Sequence, residues 1–315
     1  MNSASVPIMM SPRTLTMSGL QGRVRTAEKL GFDEIWVDQH PDVRDATLVA
    51  SAYLQAAPTI TVGTGILPIY ARHPVTMAES AATLAEMSDG RYVLGLGYSH
   101  HFVNEYVLGY RQGPPIQVMQ EYLFVVRTLL TEGGVDFDGE YFSAHTQYVN
   151  PRPPVPIYLA ALRPKMIRLA VESGDGLILW LCSPRYVAER VMPIVREACA
   201  EFGKDADAFP VLAILPTYTG RNLADVRALW ARSAKSYRML PHYRRILEAF
   251  GPVDPDEVSL MGSPDHLAER MAAYRELGCV PMPSPLTETD DEFAEVLETL
   301  KAVQPSLAAL SGGPV

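Results

Sequence analysis

The chain has little cysteine, a deficit of basic charge and no long apolar run. Three cysteines stand among 315 residues, at Cys182, Cys199 and Cys279. They form no CxxC spacing, which removes a metal-finger reading and fits a reducing compartment. No stretch approaches the roughly 20 apolar residues of a membrane span. The opening MNSASVPIMMSPRTLTM has one Arg and a broken apolar run, not a signal core of roughly 7–15 apolar residues. A soluble, cytoplasmic protein is expected. Lys and Arg number 27 against 36 Asp and Glu, a formal net charge of −9. That acid excess argues against nucleic acid or an anionic membrane as the main partner. HExxH, Cys/His clusters and DxDxDG loops are all missing, so no dedicated metal site is expected. There is no G-x-S-x-G elbow, and Ser99 and His100 are too close in sequence to meet as nucleophile and base.

What is present is an alternation of short apolar runs and amphipathic stretches. Strands are predicted at Val6–Met10, Asp33–Val37, Ile60–Leu67, Arg91–Leu96, Pro156–Ala160, Leu177–Leu181, Phe209–Leu215 and Cys279–Pro281. Helices are predicted at Leu20–Leu30, Ala46–Ala57, Val75–Met87, Ile116–Leu130, Pro164–Ser173, Pro184–Phe202, Pro264–Leu277 and Asp290–Val303. Gly31, Pro58 and the Asp89-Gly90 turn supply stops. Gly133–Phe142 reads as a hairpin excursion around its Asp-Gly turn. Residues 221–260 read as an inserted helical stretch, either a cap on the rim or a dimer face. Repeated βα units call for a parallel sheet covered by helices. About eight of them in this length point to a closed (β/α)8 TIM barrel. The rival, a doubly wound open sheet, usually carries a glycine fingerprint after its first strand, and Met10-Ser11-Pro12-Arg13-Thr14 has none. No linker or low-complexity tract splits residues 1–315, so one domain is expected.

Barrel function sits at the C-terminal ends of strands. The residues there are Asp38-Gln39-His40, the run Gly63–Pro74, the run Gly95–His101, Ala160–Lys165 and Trp180–Pro184. Gly63, Gly65, Gly95 and Gly97 admit two readings, a turning backbone or close approach of a ligand. His100 and His101 are expected to face opposite ways rather than share a metal. Leu162-Arg163-Pro164-Lys165 opens a helix, where unpaired N–H groups and two cations suit an anion. A merely solvated helix start is the other reading. Met9 and Met10 read as core.

Taken in order, these loops resemble the luciferase-like monooxygenase superfamily, and within it the oxidoreductases that use coenzyme F420. The matching segments are GFDEIWVDQH (Gly31–His40), TVGTGILPIYARHPV (Thr61–Val75), SDGRYVLGLGYSH (Ser88–His100), VDFDGEYF (Val135–Phe142), PIYLAALRPKMIRLAVESGDG (Pro156–Gly176) and GSPDHLAERMAAYRELG (Gly262–Gly278). The resemblance implies a barrel with the deazaflavin on its C-terminal rim and a bulge with a non-prolyl cis bond at Gly65–Ile66. It implies hydride transfer between the deazaflavin C5 and a C=C, C=N or C=O bond of a small molecule. FMN is the alternative cofactor, in a reduced-FMN monooxygenase. A non-catalytic flavin-binding barrel is a third reading.

Carried over by motif, His40 matches a ring-proximal proton donor. Relatives that act on sugar phosphates have an Asp directly before it; here Gln39 stands there and the acid is Asp38. Gln39, Gly65, Ile66, Gly97, Ser99, His100 and Asn104 match cofactor-contacting positions, and Glu105 is a second candidate acid or base. Ala161, Leu162, Arg163, Lys165 and Met166 match the loop and helix start that hold the cofactor phosphate. Arg44 replaces the tryptophan of the sugar-phosphate relatives, and Leu179–Ser183 is apolar. A less polar substrate is therefore expected against Tyr70, Trp180 and Trp36. Arg221, Arg227, Arg232, Lys235, Arg238, Arg244 and Arg245 make the insertion basic, and Arg244 and Arg245 are candidates to reach the polyglutamate tail of F420. A homodimer is expected.

Overall fold

The runs of Val, Ile, Leu and Met become strands buried on both faces, the pattern that parallel barrels require. The computed structural model describes residues 6–13, 15–237, 240, 243 and 255–310, without the side chains of 236 and 305–310. In chain order come β1 (Ile8–Met9), α1 (Met17–Lys29), β2 (Glu34–Val37), α2 (Ala46–Ala56), β3 (Thr61–Thr64), β4 (Leu67–Pro68), α3 (Pro74–Glu86), β5 (Tyr92–Gly97) and α4 (Pro115–Glu132). A hairpin follows, β6 (Gly134–Asp138) against β7 (Ser143–Gln147). Then come β8 (Ile157–Ala160), α5 (Pro164–Ser173), β9 (Gly176–Trp180), α6 (Pro184–Tyr186), α7 (Met192–Phe202), β10 (Val211–Tyr218), α8 (Leu223–Tyr237), β11 (Leu260–Met261), α9 (Pro264–Arg275), β12 (Val280–Pro285) and α10 (Asp290–Leu310).

All barrel pairings are parallel, in the order β1-β2-β3-β5-β8-β9-β10, with β12 on the far edge of β10 and packed against β1. This is a nearly closed eight-stranded barrel of the TIM type, as predicted. Met9, Trp36, Val93, Tyr158, Ile178, Leu212, Ile214 and Met282 fill its interior. Trp36 is wholly buried there, packed against Gly63 and the Tyr158 ring rather than open on the rim as expected. Its position follows from strand alternation: Glu34 and Trp36 both point inward, and the indole N–H donates to Glu34 Oε1 at 2.6 Å.

Three further expectations are corrected. The hairpin's return arm is Ser143–Gln147, beyond the Phe142 limit. The helix expected over Pro184–Phe202 is interrupted by a π-helical turn at Val187–Val191. Pro193 lacks the N–H that would bond the carbonyl of residue 189, and the wider turn absorbs the break. The helical insertion expected to run to residue 260 ends in a strand instead, since Leu260 opens β11, which pairs with the end of β10.

The seam between the two ends of the chain is tied by a buried cation. Arg23 of α1, 5% exposed, donates to Asp290 Oδ1 at 2.8 Å and to Thr287 Oγ1 at 3.0 Å. Its guanidinium also lies over the Phe293 ring. Arg23→Ala is expected to cost about 2 kcal/mol, since Asp290 is solvent-exposed and is not left as a buried lone charge. An unchanged denaturant midpoint would contradict this.

Candidate active site

The mouth of the barrel is a change in burial. The strands are buried, but the residues at their C-terminal ends are half-exposed: Asp38, Gln39 and His40 after β2, Gly65 and Ile66 after β3, Tyr98, Ser99 and His100 after β5, Ala160 and Leu162 at β8, and Trp180 at β9. Because these strands are consecutive in the barrel, most of the predicted residues share one arc of the rim. Ser99 and Leu181 have φ of 67° and 57°, a left-handed conformation that non-glycine residues seldom adopt outside functional or strained turns.

The bulge has a definable structure. β3 pairs with β5 as far as Gly63, and pairing resumes at β4 with Leu67 opposite Leu96. In the gap Thr64 replaces the ladder with its side chain: Oγ1 accepts from Gly95 N at 2.9 Å and donates to Gly95 O at 3.1 Å. The Gly65–Ile66 bond is cis. A Cβ on Gly97 would meet Ile66 Cδ1 at 2.6 Å, and one on Gly65 would meet Met9 Cε at 2.5 Å. A Cβ on Gly63 would strike the Trp36 ring, and one on Gly95 the Thr64 carbonyl. At these four glycines the chain's own groups stand where a Cβ would be. The product is an apolar platform in which Ile66 packs against Gly97.

His40 Nε2 and Asp38 Oδ2 are 2.8 Å apart. Gln39 is bound to its own loop, its amide accepting from Ala46 N at 2.7 Å and donating to His40 O at 2.9 Å. Arg44 bonds the Pro12 carbonyl. Asn104 is fully buried in a π-helical turn (Phe102–Val107) and donates to Tyr98 O at 2.8 Å. Glu105 faces His101, at 3.2 Å, and the Gln112 N–H. His100 packs on Tyr243 while His101 is 68% exposed, so the two rings do diverge. Tyr70 turns its hydroxyl to Tyr98 and Gly113. Burial raises the Tyr98 phenol well above its ordinary value, and the Tyr70 hydrogen bond adds to the shift.

After β8, the neighbour of β5, Arg163 is the N-cap of α5 with no side-chain cap bond, and both Arg163 and Lys165 are exposed. Met166 and Ala161 are buried beneath them, and the Leu162 carbonyl accepts from the Tyr186 hydroxyl at 2.6 Å. In the insertion, Trp230, Tyr237 and Tyr243 pack over Trp180. Those three rings were not anticipated; Trp230 and Tyr237, seven apart on one helix face, were the available signal. Arg227 is engaged by Met261 O and Asp256, while Arg221, Arg232 and Lys235 are exposed. Arg238, Arg244 and Arg245 lie outside the described residues. No helix among the described residues is long and apolar enough to cross a membrane.

A parallel eight-stranded sheet closed nearly on itself, with an interrupted third stave and a polar C-terminal rim, defines the class as a TIM-type (β/α)8 barrel. Residues 6–280 match the family described as luciferase-like monooxygenase, and the chain belongs to that family. It is 31% identical over 195 residues to a 5,10-methylenetetrahydromethanopterin reductase of Archaeoglobus fulgidus, covering 62% of this chain and 58% of the relative. It is 31% identical over 199 residues to an F420-dependent glucose-6-phosphate dehydrogenase of Intrasporangium calvum, covering 58% and 59%. The chain thus spans less than two thirds of the length of these relatives. An F420-dependent secondary alcohol dehydrogenase in complex with an F420-acetone adduct has the same fold, with a TM-score of 0.80, 21% identity, and coverage of 96% of this chain and 99% of that one.

Proposed function

We propose that the protein is an F420-dependent oxidoreductase acting on a small, fairly apolar organic molecule. The observation that carries this reading is the apolar platform of Gly65–Ile66 packed against Gly97 at the end of β5, with the cationic helix start at Arg163 and Lys165 following the neighbouring strand β8. Two buried rim oxygens, Asp38 Oδ1 and Asn104 Oδ1, have no hydrogen-bond partner among the described residues. A buried acceptor left unpaired costs about 1–3 kcal/mol, so both favour a donor that is not among the described residues. These features fit the cofactor.

When bound, the deazaflavin supplies a hydride donor or acceptor at C5. The residues at Gly65, Ile66, Gly97 and Ala160 would support the ring from one side and leave the other to substrate. Gln39, Ser99, His100 and Asn104 would line its flank. Ala161, Leu162, Arg163, Lys165 and Met166 would hold the phosphate, two cations and a helix start acting on one anion. His40 would move the proton. With Asp38 accepting from Nε2–H, Nδ1 is the nitrogen left to give or take it. Glu105 is the second candidate, and Tyr70 and Trp180 would border the substrate. The relatives' names, two of them F420-dependent, support the cofactor choice over FMN.

Binding of F420 and of FMN, each measured by fluorescence titration, tests this. Micromolar F420 affinity is expected, weakened about tenfold or more in the Arg163→Ala/Lys165→Ala variant, as loss of charge-assisted bonds implies. FMN binding without F420 binding would overturn the assignment.

A further inference from the structure

Residues 108–114 join the π-helical turn to α4, and two tyrosines tie them to the rim at Gly113. The Gly113 N–H donates to the Tyr70 hydroxyl at 3.1 Å. The Tyr98 hydroxyl donates to the Gly113 carbonyl at 2.5 Å. The two hydroxyls are 3.1 Å apart. Because the Tyr98 proton goes to Gly113, Tyr70 supplies the proton between the hydroxyls. The three bonds therefore close a ring in which each residue donates once and accepts once, so that the bonds polarise one another. Burial holds the Tyr98 phenol well above its ordinary value, and its proton stays in place at neutral pH. Gly113 has no room for a side chain, since a Cβ would meet the Tyr141 ring at 2.4 Å and Val118 Cγ2 at 2.7 Å.

Tyr98 also acts through its main chain. Its carbonyl accepts from Asn104 Nδ2 at 2.8 Å, and Asn104 is fully buried. The Asn104 carbonyl in turn accepts from Tyr110 N at 2.8 Å. Glu105 stands between these two anchorages. It follows Asn104 in the chain, and its Oε1 accepts from the N–H of Gln112, the neighbour of Gly113, at 3.3 Å. Its Oε2 lies 3.2 Å from His101 Nε2. The Gln112 bond is the longest of the set, so a small displacement of the loop breaks it first.

We propose that Tyr98 is a positioning residue for Glu105, fixing its carboxyl group from two sides: the hydroxyl acts through Gly113 and Gln112, the carbonyl through Asn104. Tyr70 completes the ring. Its proton is committed to Tyr98, so it offers a substrate its ring and not an O–H. That Glu105 gives or takes a proton rests on the oxidoreductase reading; that Tyr98 sets its direction does not.

Amide NMR of the full chain tests this without cofactor or substrate. In the native chain the Gln112 N–H signal should move with pH across the acid range in which carboxyls ionise, because its acceptor gains charge. Glu105→Gln should abolish that movement, which assigns it to Glu105 and not to His101. Tyr98→Phe keeps the ring and removes one hydroxyl. In that variant the movement at Gln112 should shrink about threefold or more, and solvent exchange of the Gly113 amide should rise about fivefold, as loss of one hydrogen bond implies. Exchange at the β2 and β9 amides should match the native chain, showing an intact barrel. Tyr70→Phe opens the same ring from its other member and should reproduce both changes. A Gln112 signal that does not move in the native chain, or that moves equally in the native chain and both variants, would overturn the proposal. Failure of F420 to bind, with these signals behaving as expected, would sink the oxidoreductase reading alone.

Discussion

Replacing Glu34 with glutamine will remove a fall in stability that the native chain undergoes between pH 4.5 and about 7. Glu34 is 6% exposed, inside the barrel below Trp36. Burial pushes its carboxyl up from the ordinary 4.5 to about 7, against the smaller opposing effect of the Trp36 hydrogen bond. Below 4.5 both the folded and the unfolded chain hold the proton, and the contribution to stability is complete. As pH rises, the unfolded chain loses its proton first, so unfolding becomes easier until the folded group has ionised too. Each pH unit across that window is worth about 1.4 kcal/mol, and the whole of it about 3 kcal/mol. The amide that replaces the carboxyl would keep an oxygen for the Trp36 N–H and cannot ionise. The difference in unfolding free energy between native and Glu34→Gln chains should therefore fall by about 3 kcal/mol from pH 4.5 to about pH 8. Denaturant titrations at several pH values measure it, and a difference that stays flat would show that Glu34 does not hold its proton in the barrel.

Gly95→Ala should be the most damaging single methyl addition on the rim. The added Cβ would overlap the Thr64 carbonyl oxygen and come within 2.9 Å of its carbon. Backbone meets backbone there, so no rotamer change relieves the clash. β5 and the bulge must separate, breaking both hydrogen bonds between Thr64 and Gly95. A cost of at least about 3 kcal/mol is expected, in the range that marks overpacking joined to lost buried hydrogen bonds. Gly97→Ala is the comparison. Its Cβ meets Ile66 Cδ1 at 2.6 Å and Cγ1 at 2.8 Å, side-chain rather than backbone atoms, so its cost should be smaller. Thermal midpoints of the two variants decide the point, and equal losses would contradict the distinction.

The strands and most helices were legible because each carries its own signal. Asp33–Val37 and Leu177–Leu181 are short apolar runs bounded by turn residues, and α3 and α5 begin at a proline that suits a first helical turn. The bulge at Gly65–Ile66 and the rim segments were legible as motifs. Trp36 was misplaced because its run, Glu34–Val37, is buried on both faces. Inward and upward positions in such a run cannot be told apart until the register with neighbouring strands is known. The Asp38–His40 pair was invisible as a bond because a two-residue separation says nothing about side-chain direction in a loop.

By itself, then, the sequence determined the barrel, the strand ends that form its rim and the family to which the chain belongs, since periodicity and motif order are local properties. Only the tertiary structure decided that the rim glycines are packed by Trp36, Met9 and Ile66, that Glu34 lies buried beside Trp36, and that Trp230, Tyr237 and Tyr243 gather over Trp180. Most of these contacts join residues from distant parts of the chain. Their meeting depends on barrel register and on where the insertion folds back, and neither is written in any one segment.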